Sequence, residues 1–169
     1  MIKKKLCLLG PLGVGKTSLI RRYVLHVYSE EYLCTVGVKV DKKTVRLANG
    51  MDVVLMIWDM EGQGDIGAFA ETYLRGLSGY FLVADGTRPT TLSTALSIGT
   101  AMREMFPAAR SSLLFNKADL GDAWALPDDA AVSFLSTGNP VFRTSALDGR
   151  GVEDAFLDIA GRMASGSDG

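Results

Sequence analysis

An eight-residue stretch near the N-terminus, GPLGVGKT at positions 10–17, combines the residue types and the spacing of a loop that holds phosphates. Phosphates are anions, so such a loop must point backbone N–H groups inward, and only glycine tolerates all the backbone angles that this needs. The glycines of the stretch supply that freedom. Lys16 adds a positive charge for the outer phosphates, and the Thr17 hydroxyl is suited to bind Mg²⁺. The stretch therefore predicts a phosphate-binding loop.

The sequence on either side of this loop predicts a strand before it and a helix after it, which is the arrangement of known phosphate-binding loops. An apolar run at residues 2–9 predicts a buried strand before the loop, and helical spacing over residues 16–27 predicts a helix after it. The positive end of the helix dipole then points at the anion. The alternative is a tight turn without a ligand, which does not require this strand–loop–helix order. Leu12 is unusual, because it is bulky at a position where such loops often stay small.

A second motif, NKAD at residues 116–119, follows the apolar run SSLLF. The Asp119 carboxylate can accept two hydrogen bonds from the N1–H and the 2-amino group of guanine, whereas adenine lacks that pair of donors. Asn116 can tie this loop to the phosphate loop, and the aliphatic stem of Lys117 can cover one face of the base. Alone, the motif is also compatible with a strand that ends in a polar turn. Placed about a hundred residues after a phosphate-binding loop, it favours a guanine nucleotide.

Two further features are weaker candidates for base recognition. The stretch TSAL at residues 144–147 follows the last predicted strand, and the backbone N–H of Ala146 can reach the guanine O6. Tyr28 can stack on the base, although an aromatic residue in a loop is more often a packing residue.

The pattern of apolar runs and turn signals predicts an α/β fold. Strands are predicted at residues 2–9, 38–47, 52–58, 80–84, 112–115 and 141–143, and helices at residues 16–27, 92–105, 130–135 and 152–164. One hairpin, around the turn signal Asn49-Gly50, interrupts an otherwise alternating order, which predicts a mostly parallel sheet with helices on both faces. The apolar phase of the first hairpin strand slips between Val40 and Val45, and a β-bulge would explain the slip.

Composition limits the classes of protein that remain. The chain of 169 residues fits one domain, and its net charge of −1 gives no general attraction to nucleic acid. Its two cysteines make no disulfide framework, which favours a reducing compartment. No apolar run is long enough to span a membrane, and the terminal MASGSDG has no cysteine for a lipid. We therefore expect a cytoplasmic monomer without a direct membrane anchor.

Taken together, the phosphate loop, WDMEGQ, NKAD and SAL resemble in order and spacing the motifs of a Ras-like small GTPase. The stretch YLCTVGVKV is most similar to the Rab branch, and the resemblance extends from about Lys4 to Met163. It implies a three-layer α/β/α P-loop G domain with a six-stranded, mostly parallel sheet and one antiparallel hairpin strand at its edge. We expect this domain at residues 1–164 and a flexible tail at residues 165–169.

The resemblance also implies roles for individual residues. Thr35 would complete the Mg²⁺ shell when GTP is bound, Asp59 would hold Mg²⁺ through water, and the N–H of Gly62 would contact the γ-phosphate. Gln63 would orient the attacking water, although it can also be read as a polar residue in an exposed loop. The implied nucleotide-binding residues are Gly13, Val14, Gly15, Lys16, Thr17, Ser18, Tyr28, Thr35, Gly62, Asn116, Lys117, Asp119, Ser145, Ala146 and Leu147. The implied Mg²⁺ ligands are Thr17, Thr35 and Asp59, and the implied catalytic residues are Gln63 and Lys16.

Three positions depart from the family pattern. Leu12 occupies a position beside which a partner's stabilising arginine normally enters, and Met60 and Glu61 replace the common Thr-Ala pair. A Glu61 carboxylate directed at the γ-phosphate would repel it, and one directed at solvent would not. No arginine of the chain is an evident internal arginine finger. Arg75 and Arg22 are candidates by proximity in sequence only, and both are interpreted as surface residues. None of these changes removes a nucleotide or metal ligand, so binding is expected to persist while hydrolysis slows.

Two functional hypotheses follow. The first is a switch that hydrolyses GTP slowly with Mg²⁺ and contacts an effector, exchange factor or activating protein through its switch loops. The second is a guanine-nucleotide-binding interaction module with little or no hydrolysis. Thr35 and Gln63 favour the first hypothesis. Leu12, Met60 and Glu61 favour the second. A third hypothesis, a P-loop kinase that transfers phosphate to a small molecule, is disfavoured, because the sequence has no evident lid or acceptor site and NKAD favours guanine.

Overall fold

The computed structural model describes residues 1–26, 28, 38–60 and 72–166. Its strands are β1 (Ile2–Leu9), β2 (Val38–Arg46), β3 (Asp52–Met60), β4 (Leu77–Asp85), β5 (Arg110–Asn116) and β6 (Val141–Arg143). Its helices are α1 (Lys16–Leu25), α2 (Pro89–Met105), α3 (Val132–Leu135) and α4 (Val152–Ser165), with a 3₁₀ turn at Gly121–Ala123. The sheet order is β2-β3-β1-β4-β5-β6, and only the pairing of β2 with β3 is antiparallel. The predicted fold class is therefore confirmed.

Each face of the sheet carries its own apolar core, as expected for a mostly parallel sheet covered on both sides. On one face α1 and α4 pack against the central strands, and Tyr23 stacks on Phe156 with ring centroids 3.8 Å apart. On the other face α2 packs against β4, with Leu82, Ile98 and Met102 in the core. Among the described residues, no helix is long and apolar enough to cross a membrane.

Helix boundaries differ from the sequence prediction most at α1, α2 and α3, and α3 begins at Val132 rather than at residue 130. Helix α1 ends at Leu25, because His26 adopts a left-handed conformation with φ of 56° while its N–H still donates to the Arg22 carbonyl. Val27, which was included in the predicted helix, lies outside the described residues. Helix α2 begins at Pro89 rather than at residue 92. Proline is well suited to a first helical turn, because its fixed φ is helical and the N–H it lacks has no partner there.

The predicted β-bulge in the first hairpin strand is wrong. The pairing of β2 with β3 runs without interruption from Val38 opposite Met60 to Arg46 opposite Asp52. The slip in apolar phase has another cause: β2 is an edge strand, so an apolar side chain can remain in solvent on it. Val45 is buried in the core beside α1, whereas Val40, on the opposite face, is 42% exposed.

The parallel strands bring their carboxyl ends to one edge of the sheet. The phosphate loop follows β1, and the register places Leu8 of β1 beside Asp59 of β3 and Asp85 of β4 beside Asn116 of β5. Ligands of open α/β sheets bind at this edge, because the loops that follow the strands meet there. Residues far apart in the sequence are therefore assembled into one candidate site.

Candidate nucleotide-binding site

The phosphate loop connects β1 to α1 in a conformation that requires glycine at two positions. Gly10 and Gly15 have φ of 156° and 102°. A Cβ at Gly10 would lie 2.4 Å from the Val83 carbonyl oxygen, and one at Gly15 would lie 2.3 Å from Asn116 Nδ2. Side chains are therefore excluded where the loop approaches β4 and β5. Gly15 is also the N-cap of α1, so the free N–H groups of the first helical turn lie at this loop.

Lys16 lies within the loop that it is predicted to serve. Its side chain is buried, and its ammonium donates to the carbonyls of Gly10 and Pro11 at 2.8 and 3.1 Å. Burial lowers the pKa of Lys16 to about 8, and the nearby Asp59 carboxylate opposes that shift. A buried cation next to the helix N-terminus provides the positive charge that phosphate groups need.

Thr17 and Asp59 lie together at the start of α1 and the end of β3. The Thr17 hydroxyl donates to Asp59 Oδ2 at 2.6 Å, and Asp59 is buried. Mg²⁺ prefers oxygen ligands and usually keeps waters and phosphate oxygens beside one or two protein ligands. This pair fits that preference, and the part of the chain that the structure describes has no cluster of three or more His, Cys, Asp or Glu residues for another metal. Thr35, the third predicted ligand, lies outside the described residues.

A cavity of about 300 Å³ lies beside the phosphate loop, at the ends of β5 and β6. It brings together eight of the predicted nucleotide-binding residues and one that was not predicted, Leu120. The lining consists of Gly15, Ser18, Tyr28, Asn116, Lys117, Asp119, Leu120, Ala146 and Leu147. Its mixture of apolar surface and a few polar groups is typical of a small-molecule site.

Asn116 joins the two halves of this site. Its side-chain amide donates to the Val14 carbonyl at 2.9 Å and accepts from the Thr144 hydroxyl at 3.1 Å. Ser145, which does not line the cavity, donates from its hydroxyl to Asp119 Oδ1 at 2.8 Å. The phosphate loop, the NKAD loop and the SAL loop are therefore connected by direct hydrogen bonds.

Asp85 is a functional candidate that the sequence analysis missed. It is fully buried at the end of β4, and its Oδ2 lies 2.7 Å from Lys117 Nζ and 2.9 Å from Arg88 Nε. Burial by itself raises the pKa of Asp85, but hydrogen bonds from Lys117, Thr87 and Arg88 outweigh it and lower the pKa to about 2. A polar residue at the carboxyl end of a buried strand was the available signal. The carboxylate fixes the head of Lys117, whose own backbone has φ of 69°.

The residues that depart from the family pattern have different surroundings. Leu12 is 50% exposed, and its carbonyl accepts a hydrogen bond from Arg88 Nη2 at 3.3 Å. Met60 is buried in the core on the face that α2 covers. Glu61 lies outside the described residues, as do Gly62 and Gln63. Their predicted roles at the γ-phosphate therefore stay predictions.

Comparison with known proteins shows the family to which the chain belongs. A model of the Ras family matches residues 5–165. The GTP-binding protein YPT1 of Saccharomyces cerevisiae is 37% identical over 161 residues, which cover 92% of this chain and 76% of that protein. Ras-related protein RABD2a of Arabidopsis thaliana is 34% identical over 95% of this chain and 82% of its own, and Ras-related protein Rab-25 of Mus musculus is 33% identical over 92% and 73%. Since these matches span nearly the whole chain, it belongs to the Ras family and is Rab-like, as the motifs predicted.

Proposed function

We propose that this chain is a GTP-binding molecular switch that hydrolyses GTP slowly to GDP and phosphate in a Mg²⁺-dependent reaction. The observation that carries the proposal is the hydrogen bond from Asn116 to Val14, which joins a base-sized cavity to a phosphate loop. Membership of the Ras family and the similarity to GTP-binding protein YPT1 support the same function.

Selection of guanine is assigned to Asp119. Ser145 donates to one of its carboxylate oxygens, which orients the group beside the cavity. The carboxylate then accepts from the N1–H and the 2-amino group of guanine, whereas adenine would leave it without those donors. Lys117, held by Asp85, covers one face of the base with its aliphatic stem.

Catalysis is assigned mostly to positioning and charge stabilisation. Lys16 binds the outer phosphates and stabilises the charge that develops on them, together with the N–H groups at the start of α1. Thr17, Asp59 and Thr35 would hold Mg²⁺, which when bound supplies further positive charge at the phosphates. Gln63 orients the attacking water, and Leu12 is a half-exposed residue of the phosphate loop.

The switch is assigned to the segments that carry Thr35 and Gly62. Loss of the γ-phosphate would release Thr35 from the Mg²⁺ shell and would remove the contact of the Gly62 N–H, so both segments would change. An effector, an exchange factor and an activating protein would distinguish the two states there. We further propose that the protein acts as a monomer and that it is cytoplasmic, and its few cysteines support that compartment.

Single-turnover hydrolysis tests the function. The purified protein is loaded with GTP, Mg²⁺ is added, and released phosphate is followed over hours beside Gln63→Leu. Slow turnover is expected in the wild type, with a decrease of at least about tenfold in the variant, because an oriented water is lost. Leu12→Gly is measured as well, and it is expected to hydrolyse GTP faster if the Leu12 side chain obstructs Gln63.

GTP affinity and turnover, measured together, distinguish the GTP-hydrolysing switch from the nucleotide-binding interaction module. Tight GTP binding without turnover in any of these proteins would replace the enzyme by a nucleotide-held interaction module, which the bulk of Leu12 favours. Failure of the wild type to bind GTP would reject both hypotheses.

A further inference from the structure

Arg22 has contacts that its interpretation as a surface residue did not anticipate. It lies on α1, outside the motifs and outside the cavity lining, and its side chain reaches the SAL loop. Its Nε donates to the Ala146 carbonyl at 2.8 Å, and its Nη2 donates to the Leu147 carbonyl. Its Nη1 lies 3.5 Å from the His26 carbonyl oxygen. One guanidinium therefore connects the helix that begins at the phosphate loop with two successive peptide groups of the SAL loop.

These contacts determine which way the SAL backbone faces. In a trans peptide group the C=O and the N–H point in opposite directions. The Ser145 carbonyl accepts from the Gly149 N–H at 2.8 Å, and the Ala146 carbonyl accepts from Arg22. The peptide group of the Ser145 carbonyl carries the Ala146 N–H, and the peptide group of the Ala146 carbonyl carries the Leu147 N–H. Both N–H groups therefore point away from Gly149 and Arg22. Neither N–H donates to any of the described residues, and both residues line the cavity.

Arginine is suited to this position for a geometric reason. Its planar fork can donate to adjacent carbonyls at the same time, and hydrogen bonds from a charged donor are stronger than neutral ones. Lysine has a single ammonium at the end of a flexible stem, so it cannot reproduce the same planar arrangement.

We propose that Arg22 is a positioning residue for guanine recognition. By holding the Ala146 carbonyl, it directs the free Leu147 N–H of the same peptide group to the O6 of the base, beside the Ala146 N–H that the hydrogen bond from Gly149 to the Ser145 carbonyl orients. The inference rests on the proposed guanine site and adds to it a residue that never contacts the nucleotide.

The test changes the protein and the base separately. Affinities of Arg22→Met and wild type are measured at about pH 7 for GDP, 6-thio-GDP and IDP. The sulfur of 6-thio-GDP is a weak acceptor, but its N1–H and 2-amino group remain, whereas IDP keeps O6 and lacks the 2-amino group. The wild type is expected to prefer GDP over both analogues.

Methionine keeps the length of the Arg22 stem and removes its donors. In Arg22→Met, GDP affinity is expected to fall roughly three- to tenfold, as for the loss of about one hydrogen bond. Affinity for 6-thio-GDP changes little, so the preference for GDP over it decreases towards one. The preference for GDP over IDP stays at the wild-type value, because Asp119 is unchanged. Arg22→Lys should be intermediate.

Arg103→Met is the matched control. Arg103 is exposed on α2, and its Nη2 contacts the Thr100 hydroxyl of the same helix. This variant should bind all three nucleotides as the wild type does. Thermal unfolding of each variant with GDP bound separates loss of the fold from loss of recognition.

The outcomes distinguish this inference from the function on which it rests. If Arg22→Met weakens all three nucleotides by the same factor, or weakens none of them, Arg22 does not position the loop for O6 and the inference is wrong. A wild type that binds 6-thio-GDP as tightly as GDP would show that no donor reads O6, which also overturns the inference. A wild type that binds IDP as tightly as GDP would instead contradict the role proposed for Asp119.

Discussion

At the scale of single residues, burial changes the chemistry of Lys16 before any ligand is involved. The ammonium is enclosed by the carbonyls of its own loop, and its pKa decreases from the ordinary value of 10.5 to about 8. Phosphate groups next to the ammonium favour its charged form and therefore raise the pKa again. Nucleotide binding and protonation of Lys16 are therefore linked at pH values between about 8 and 10.5.

The first prediction concerns the pH dependence of GDP affinity. Below a pH of about 8 Lys16 is already charged in the free protein, and above it binding must take up a proton. Affinity should therefore decrease as pH rises from about 8 to 9, by up to about tenfold per unit. Calorimetry in buffers of different ionisation enthalpy measures the proton uptake directly.

Lys16→Arg is the control for this prediction, because its guanidinium stays charged throughout and should show no uptake at that group. Wild type and Lys16→Arg are compared in the same buffers over the same pH range, so that any ionisation of guanine N1 contributes equally to both. Binding to the wild type without proton uptake at the upper end of this range would contradict a lowered pKa of Lys16.

The sequence predicted the site residues that occur in local motifs, but it did not predict those whose partners are distant in sequence and are brought close only by the fold. Lys16, Asn116 and Asp119 were predictable, because their chemistry depends on neighbours within a few positions. Arg22 was not, because its acceptor on Ala146 is 124 residues away and only the topology brings the two together. Asp85 was missed for the same reason, since Lys117 comes from the neighbouring strand end.

At the scale of elements, buried strands were easier to predict than edges. The central strands β1, β4 and β5 each contain consecutive buried apolar residues, so a short apolar run located each of them. The edge strand β2 is exposed along much of its length, which is why Val40 suggested a bulge that does not exist. The first turn of α2 was missed because RPTT has no apolar period, although Pro89 was an available signal.

Substitution of two helix glycines by alanine is predicted to change the free energy of unfolding in opposite directions. A Cβ at Gly161 in α4 meets nothing within 4 Å, whereas one at Gly99 in α2 would lie 2.6 Å from Leu82 Cδ1. Gly161→Ala should raise the free energy of unfolding by about 0.5–1 kcal/mol, because alanine is the better helix former. Gly99→Ala should lower it by about 1–3 kcal/mol, because a packed core must shift.

Urea denaturation with GDP present measures both variants, and each serves as the control for the other. Equal effects of the two substitutions would show that helix propensity, rather than the local packing of each glycine, decides the outcome.

At the scale of the whole molecule, the ligand site is made by loops from both halves of the sheet. The phosphate loop follows β1, whereas the base cavity lies at the ends of β5 and β6. A nucleotide that contacts both would bind only the folded chain, so its binding should stabilise the fold as a unit.

Thermal unfolding with different nucleotides tests this linkage. GDP at about a thousand times its dissociation constant should raise the free energy of unfolding by about 4 kcal/mol. ADP at the same concentration should leave the unfolding temperature almost unchanged, because Asp119 cannot pair with adenine. Asp119→Ala should reduce the difference between the two nucleotides. Equal stabilisation by ADP and GDP would contradict selection of the base.

The basic edge of the sheet has a consequence for solubility. Strand β2 ends the sheet with exposed Lys39, Lys42 and Arg46, whereas the opposite edge, β6, is only three residues long. An unpaired strand edge is a template for aggregation, and a net charge of −1 gives copies of this chain little general repulsion. Lysines along β2 supply that repulsion locally, since a second copy added at this edge would bring like charges together. We therefore expect this edge to resist pairing with the edge of a second copy.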